Sequence, residues 1–179
     1  MCTANVCRSA LAAGLLKLRA TQAGAPISVA SAGILAEGMK SDPHVVSVLS
    51  EYGVDGSSKR SRLLDREILA GADLILPMTM SHARRAIGEL PAARERVFLL
   101  REVVQLSSTV GPRPDDMPLD KWLRLLDGAR TLNYAEEDAA FEVPDPIGEP
   151  REVFVELAKE LDQNLSWFIT LANLGRVIA

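Results

Sequence analysis

Cysteine and histidine are scarce, with two of each in 179 residues. Two cysteines cannot staple a disulfide scaffold of this length. With only His44 and His82 beside them, a zinc site is disfavoured, and neither metal nor cofactor is expected. Long apolar runs are missing too. None approaches the ~20 residues of a membrane span, and no basic leader precedes an apolar stretch. Secretion and membrane insertion are therefore not expected, and the reducing cytoplasm is the expected compartment. A basic excess is also lacking: 20 Lys and Arg stand against 24 Asp and Glu, for a net charge of −4. That balance argues against a dedicated nucleic-acid binder. Lys59-Arg60-Ser61-Arg62 lacks the interleaved aromatics of a single-strand site, though it could touch a phosphorylated partner. Residues 59–101 carry a net charge of +4 and residues 115–160 one of −8, which reads as solvated surface.

What the chain does have is apolar mass, 47% of its residues, enough to bury the core of one domain spanning residues 1–179. From Ser9 to about Thr21, helix formers place Leu11, Leu15 and Leu18 at helical spacing. A second helix is announced by Ser41 or Asp42 as cap, Pro43 in the first turn and Gly53 as stop. Further helices are expected over Arg66–Ala70, Ser81–Glu89, Leu119–Arg130 and from Pro150 towards Leu174. Ile27–Ala30, Ala72–Leu76 and Val97–Leu100 read as short strands. Ser107–Pro118 and Thr131–Glu149 read as loops. Helices alternating with short apolar strands predict an α/β fold, a short parallel sheet flanked by helices.

The informative segment is Cys2-Thr3-Ala4-Asn5-Val6-Cys7-Arg8-Ser9, followed at once by a helix. A thiol that attacks a phosphate ester must do so as thiolate, and a helix N-terminus favours negative charge there. The same free N–H groups can wrap a phosphate dianion. Arg8, six residues after Cys2, can close the ring with a bidentate grip on two phosphate oxygens. Ser9 can donate its hydroxyl to the Cys2 sulfur, and Asn5 suits a left-handed turn. Thr3, Ala4, Asn5, Val6, Cys7 and Ser9 are thus the candidate substrate-binding residues, and Cys2 and Arg8 the candidate catalytic ones.

Cys-x5-Arg-Ser with Asn at the third x resembles the phosphate-binding loop of the low-molecular-weight protein tyrosine phosphatases. Cys7 inside the loop matches that family as well. Ser31-Ala32-Gly33, Asp42-Pro43, Ala72 to Thr79 and Asp145-Pro146-Ile147-Gly148 follow in family order over most of the chain. The resemblance implies that Cys2 attacks phosphorus to form a cysteinyl-phosphate and that Asp145 protonates the leaving phenolate, then activates water. It implies a phosphotyrosine-containing protein as substrate, no metal, and a second role for Cys7 as a trap for oxidised Cys2. Arsenate reduction and protein arginine phosphatase activity on the same scaffold, or a catalytically weakened phosphate binder, are the alternative readings. Val6 stands where the arginine phosphatases favour threonine. Ile147 stands where relatives often carry an aromatic ring, and Lys59 where they often carry a histidine. In this fold a central strand runs into the loop, whereas here only Met1 precedes Cys2. That first central strand is expected to be missing, leaving Ile27–Ala30 and Leu74–Leu76 to flank an open slot.

Overall fold

The computed structural model describes residues 1–35, 37–130 and 139–175. Helix α1 (Arg8–Gln22) grows directly out of the Cys2–Arg8 loop, its first backbone bond running from Leu11 N to Cys7 O at 2.9 Å. It buries Ala10, Leu11 and Leu15 on the inner face. Asp42 caps α2 (Pro43–Glu51) by accepting from His44 N at 2.8 Å, and Pro43 occupies a first-turn position where no donor is lost. Asp65 caps α3 (Arg66–Ala70), and Thr79 caps α4 (Met80–Glu89), one residue earlier than the sequence predicts. A 3-10 segment, Pro91–Arg96, follows. Then come α5 (Leu100–Val110), α6 (Leu119–Gly128), a 3-10 turn at Ala139–Phe141, and α7 (Arg151–Leu171).

Packing centres on α1, α2 and α7. Leu11, Leu15, Val45, Leu49, Phe154, Leu157 and Leu161 form one cluster, with Cys2, Val6 and Cys7 of the loop built into it. Gly14 lets α1 and α2 close up: a Cβ there would lie 2.8 Å from a Leu49 methyl. Burying the loop's own side chains in this cluster fixes its base to the close-packed core of α1, α2 and α7.

One expectation needs correction. Val97–Leu100 is not a strand throughout, because α5 begins at Leu100 and runs through Val110, into the predicted Ser107–Pro118 loop. Leu99 N donates to Glu102 Oε2 at 2.9 Å, a cap set by the acid three residues on, and the helix ends only at Gly111. The parallel sheet is present only as isolated contacts. Among the described residues no strand is continuous. Single parallel bridges join Cys2 to Gly33, Gly33 to Leu63 and Ile75 to Val97, and one antiparallel bridge joins Lys40 to Arg60. Ile27–Ala30 bridges nothing among the described residues. Met1 and Cys2 nevertheless run between two chains, since Met78 N donates to Met1 O at 3.0 Å and Cys2 N to Ala32 O at 3.3 Å. Residues 131–138 of the expected Thr131–Glu149 loop lie outside the described residues.

Candidate active site

The loop from Cys2 to Ser9 is held by its carbonyls. Thr3 O accepts from Ile34 N (2.7 Å) and Leu35 N (3.0 Å), and Asn5 O from Lys59 Nζ (3.3 Å). Val6 O accepts from Asp42 N (3.1 Å) and Cys7 O from Leu11 N (2.9 Å). By contrast, the amides of residues 3–8 donate to no acceptor among the described residues. A backbone whose C=O groups are tied outward presents its N–H groups inward, and six such donors ahead of a helix form an anion cradle.

Asn5 is the hub of this curve. Its φ of +57° places it in the left-handed region, where Asn is tolerated better than most residues. Its Oδ1 accepts from Lys59 Nζ (3.0 Å) and Arg62 N (3.1 Å), and its Nδ2 donates to Ser9 Oγ (2.8 Å). Two donors on one side fix which end of the amide is oxygen. Ser9 Oγ therefore accepts from Asn5, leaving its own hydrogen for Cys2 Sγ at 2.9 Å. The Lys59 ammonium donates twice to Asn5; desolvation lowers its pKa below the usual lysine value, an effect opposed by the nearby Cys2.

Gly33 presses on the loop from outside. A Cβ there would lie 2.7 Å from Thr3 O and 2.8 Å from Asn5 N, both backbone atoms that cannot step aside. Only glycine lets the two backbones approach so closely.

Arg8 is almost fully buried, yet its guanidinium reaches the cradle. Nη1 donates to Val143 O (3.2 Å), and Nη2 to Thr3 Oγ1 (3.3 Å) and Asp145 Oδ2 (2.5 Å). Its Nε is buried without a partner. Asp145 is thus brought to the loop from 137 residues away, on a segment tethered where Val143 N donates to Met78 O at 2.8 Å. Ile147, just beyond, is exposed. The Cys7 thiol is pushed up to about 12 by burial first, then by the negative charges of Asp42, Asp145 and Cys2. It stays protonated at neutral pH.

All nine residues singled out in the sequence meet in one place. Two features were not foreseen. His82, weighed only as a metal ligand, is buried with Nε2 3.0 Å from Thr3 Oγ1 and Nδ1 2.7 Å from Thr79 Oγ1. Burial first, then the Arg8 cation, lowers its pKa to about 4. Val143 was not singled out at all, because its contribution is a carbonyl, which no side-chain pattern announces. No group of residues able to hold a metal ion occurs among the described residues.

A thiol heading an amide cradle closed by an arginine is the equipment of a cysteine-dependent phosphomonoester hydrolase. The chain belongs to the low molecular weight phosphotyrosine protein phosphatase family, whose model matches residues 1–111. It is 33% identical over 135 residues to the protein-arginine-phosphatase of Geobacillus stearothermophilus, covering 74% of this chain and 87% of that one. It is 38% identical over 106 residues to the probable low molecular weight protein-tyrosine-phosphatase EpsP of Ralstonia solanacearum, covering 59% of this chain and 70% of that one. The crystal structure of the low molecular weight protein tyrosine phosphatase from T. tengcongensis superposes with a TM-score of 0.69 at 30% identity, covering 94% of this chain and 93% of that one. The fold is that of this family, and the family's chemistry runs through a cysteinyl-phosphate. Among the described residues no helix is long and apolar enough to cross a membrane.

Proposed function

We propose that the protein hydrolyses aryl phosphate monoesters, phosphotyrosine in proteins above all, with Cys2 as nucleophile, Arg8 as phosphate clamp and Asp145 as general acid and base. The observation that carries this reading is the division of the loop's backbone, with four carbonyls engaged outward and six amides free. The Cys2 thiolate attacks phosphorus in line, forming the S–P bond as the P–O bond to the phenol breaks. Asp145 gives its proton to the departing oxygen. It then takes a proton from the water that attacks the cysteinyl-phosphate, and inorganic phosphate leaves with the thiolate restored. The amides of residues 3–8 and the Arg8 guanidinium hold the equatorial oxygens, and the Ser9 hydroxyl stabilises the sulfur as leaving group. The Arg8–Asp145 contact at 2.5 Å suits this order of events: an arriving dianion competes for Nη2 and frees the carboxyl to face the leaving group. Within this reading the parallel bridges are the seams of a short parallel sheet, the domain spans residues 1–179, no cofactor is needed and the compartment is the cytoplasm.

The apolar Val6, which offers no hydroxyl to the cradle, and the exposed Ile147 beside Asp145 favour an aryl ester. A phosphoarginine substrate is the second reading, favoured by the likeness to the Geobacillus protein over most of its length. The test is turnover of p-nitrophenyl phosphate, a phosphotyrosyl peptide and a phosphoarginyl peptide by the wild type and by Cys2→Ser. The expected result is wild-type release of phosphate from the aryl esters and retained vanadate binding without turnover by Cys2→Ser. Appreciable turnover by Cys2→Ser would overturn the assignment of the nucleophile.

A further inference from the structure

Beside the cradle lies a cluster of cations that nothing in the catalytic scheme uses. The segments 33–40 and 59–64 hang directly from the loop. Thr3 O holds Ile34 and Leu35, Asn5 Oδ1 holds the Arg62 amide, and Gly33 N donates to Arg62 O at 2.8 Å. Further out the two segments pair antiparallel, with Lys40 opposite Arg60 and Ser61 N donating to Met39 O at 2.8 Å. Ser61 points inward and is buried, so Arg60 and Arg62 on either side of it emerge on the opposite face, and both are exposed. Lys40 is exposed as well.

Like charges placed directly opposite across an antiparallel pair repel, and a protein with net charge −4 has carboxylates to spare for neutralising them. None is used. No ion pair joins Lys40, Arg60 or Arg62 to a carboxylate among the described residues. Glu37, exposed on the first segment, is the nearest acid in sequence and makes no ion pair with them, and three other neighbouring acids are committed elsewhere. Asp42 and Asp65 cap helices, and Asp55 accepts from Ser57 N and Oγ. Arg60 is moreover held in place by carbonyls, its Nη1 donating to Lys59 O (2.9 Å) and Ser57 O (3.1 Å). Leu35, Met39 and Leu63 are exposed on the same two segments, giving a platform of apolar side chains among three exposed cations and one exposed acid, Glu37, a net positive patch.

We infer that the platform bearing Lys40, Arg60 and Arg62 is a docking surface for acidic residues flanking the phosphorylated residue of a protein substrate. The inference rests on the phosphatase reading and specifies its substrate: an extended peptide with its phosphoryl group in the cradle lays its neighbours, ~3.3 Å apart per residue, along this wall. Opposite charges there raise the encounter rate and lower KM without touching the chemical step.

The test compares three phosphotyrosyl peptides of equal length with Asp and Glu, Ala, or Lys at the three positions on either side, using the wild type and Lys40→Glu/Arg60→Glu. For the wild type, kcat/KM is expected to be about tenfold higher for the acidic than for the lysine peptide at low salt. The difference should collapse at high ionic strength and vanish or reverse in the variant. Turnover of p-nitrophenyl phosphate, which has no flanks, should stay within about twofold of wild type in the variant. Equal rates on all three peptides, or a preference that survives the double substitution, would overturn the docking surface while leaving the phosphatase reading intact. Binding to anionic vesicles that is lost in the variant, with no peptide preference, would also overturn it. Failure of the wild type to turn over any of the esters would instead remove the reading beneath it.

Discussion

His82 and Thr3 meet across 79 residues of chain, Nε2 to Oγ1 at 3.0 Å, while the same threonine oxygen accepts from Arg8 Nη2 at 3.3 Å. A neutral imidazole has one donor and one acceptor. Thr79 Oγ1, already the cap of α4, occupies the other ring nitrogen. The ring is therefore pinned at both ends, and through Thr3 it contacts the guanidinium proposed as the phosphate clamp. Replacing His82 with Phe removes both bonds and should lower kcat/KM about tenfold, the worth of one net hydrogen bond to a positioned group. His82→Gln, which keeps a donor and an acceptor, should recover part of the loss. If the ring acts through Thr3, His82→Phe should cost little further in a Thr3→Val background; strictly additive losses in this double-mutant cycle would exclude that route.

Burial and the Arg8 cation hold His82 at about 4, below its ordinary 6.5. The folded value lies below the unfolded one, so between the two the unfolded chain binds the proton first. Stability from the neutral ring is thus complete above about pH 6.5 and is lost as pH falls toward 4. The linked effect is on the order of 3 kcal/mol at full protonation. Urea unfolding midpoints measured from pH 7 to 5 should fall for the wild type and stay flatter for His82→Gln. Parallel curves for the two proteins would assign the acid sensitivity to other groups.

The sequence disclosed the site better than the scaffold. Cys2, Arg8, Ser9 and Asn5 lie within eight residues, and their chemistry depends on local curvature that residue types announce. Asp145 became legible only through its resemblance to a known pattern, since a turn aspartate between prolines carries no signal of its own. His82 escaped because nothing local marks a histidine as the partner of a residue 79 positions away. Helix α2 was readable from Asp42-Pro43, the Asp42 side chain capping by a local hydrogen bond. Helix α5 was not, since its start depends on Val97, Phe98, Leu99 and Leu100 being drawn into the buried interior, each no more than 1% exposed. Tertiary burial set the helix start there, which a short apolar run does not announce.

Gly33 offers a test of how finely the loop is set. A methyl group there meets Thr3 O at 2.7 Å and Asn5 N at 2.8 Å, so the loop backbone has to move. Displacing a cradle by a fraction of an ångström misaligns amides and thiolate together, and losses of about 100-fold are typical of such misplacement. Gly33→Ala should therefore lower kcat and weaken vanadate binding, while far-UV circular dichroism stays near wild type. Unchanged vanadate affinity would show that the loop tolerates the contact.

Asp145 is the last and most discriminating case. It sits against Arg8 at 2.5 Å, with Oδ1 also accepting from Ile147 N at 3.4 Å, so the carboxyl is placed by two contacts beside the phosphate clamp. A general acid matters in proportion to the basicity of the oxygen that departs. p-Nitrophenolate leaves readily without a proton, whereas the phenolate of tyrosine and an alkoxide do not. Asp145→Asn keeps the shape and one of the two accepting oxygens but has no carboxyl proton to give. It should cost roughly 10²–10⁴-fold on phosphotyrosine and markedly less on p-nitrophenyl phosphate. A plot of log kcat/KM against leaving-group pKa should accordingly be steeper for the variant than for the wild type. Dephosphorylation of the intermediate also slows, because the same carboxylate is the base for water, so a burst of phenol release should appear with good leaving groups. If the slopes are equal and no burst is seen, Asp145 is not the acid, and its place beside Arg8 serves only to hold the empty clamp in position.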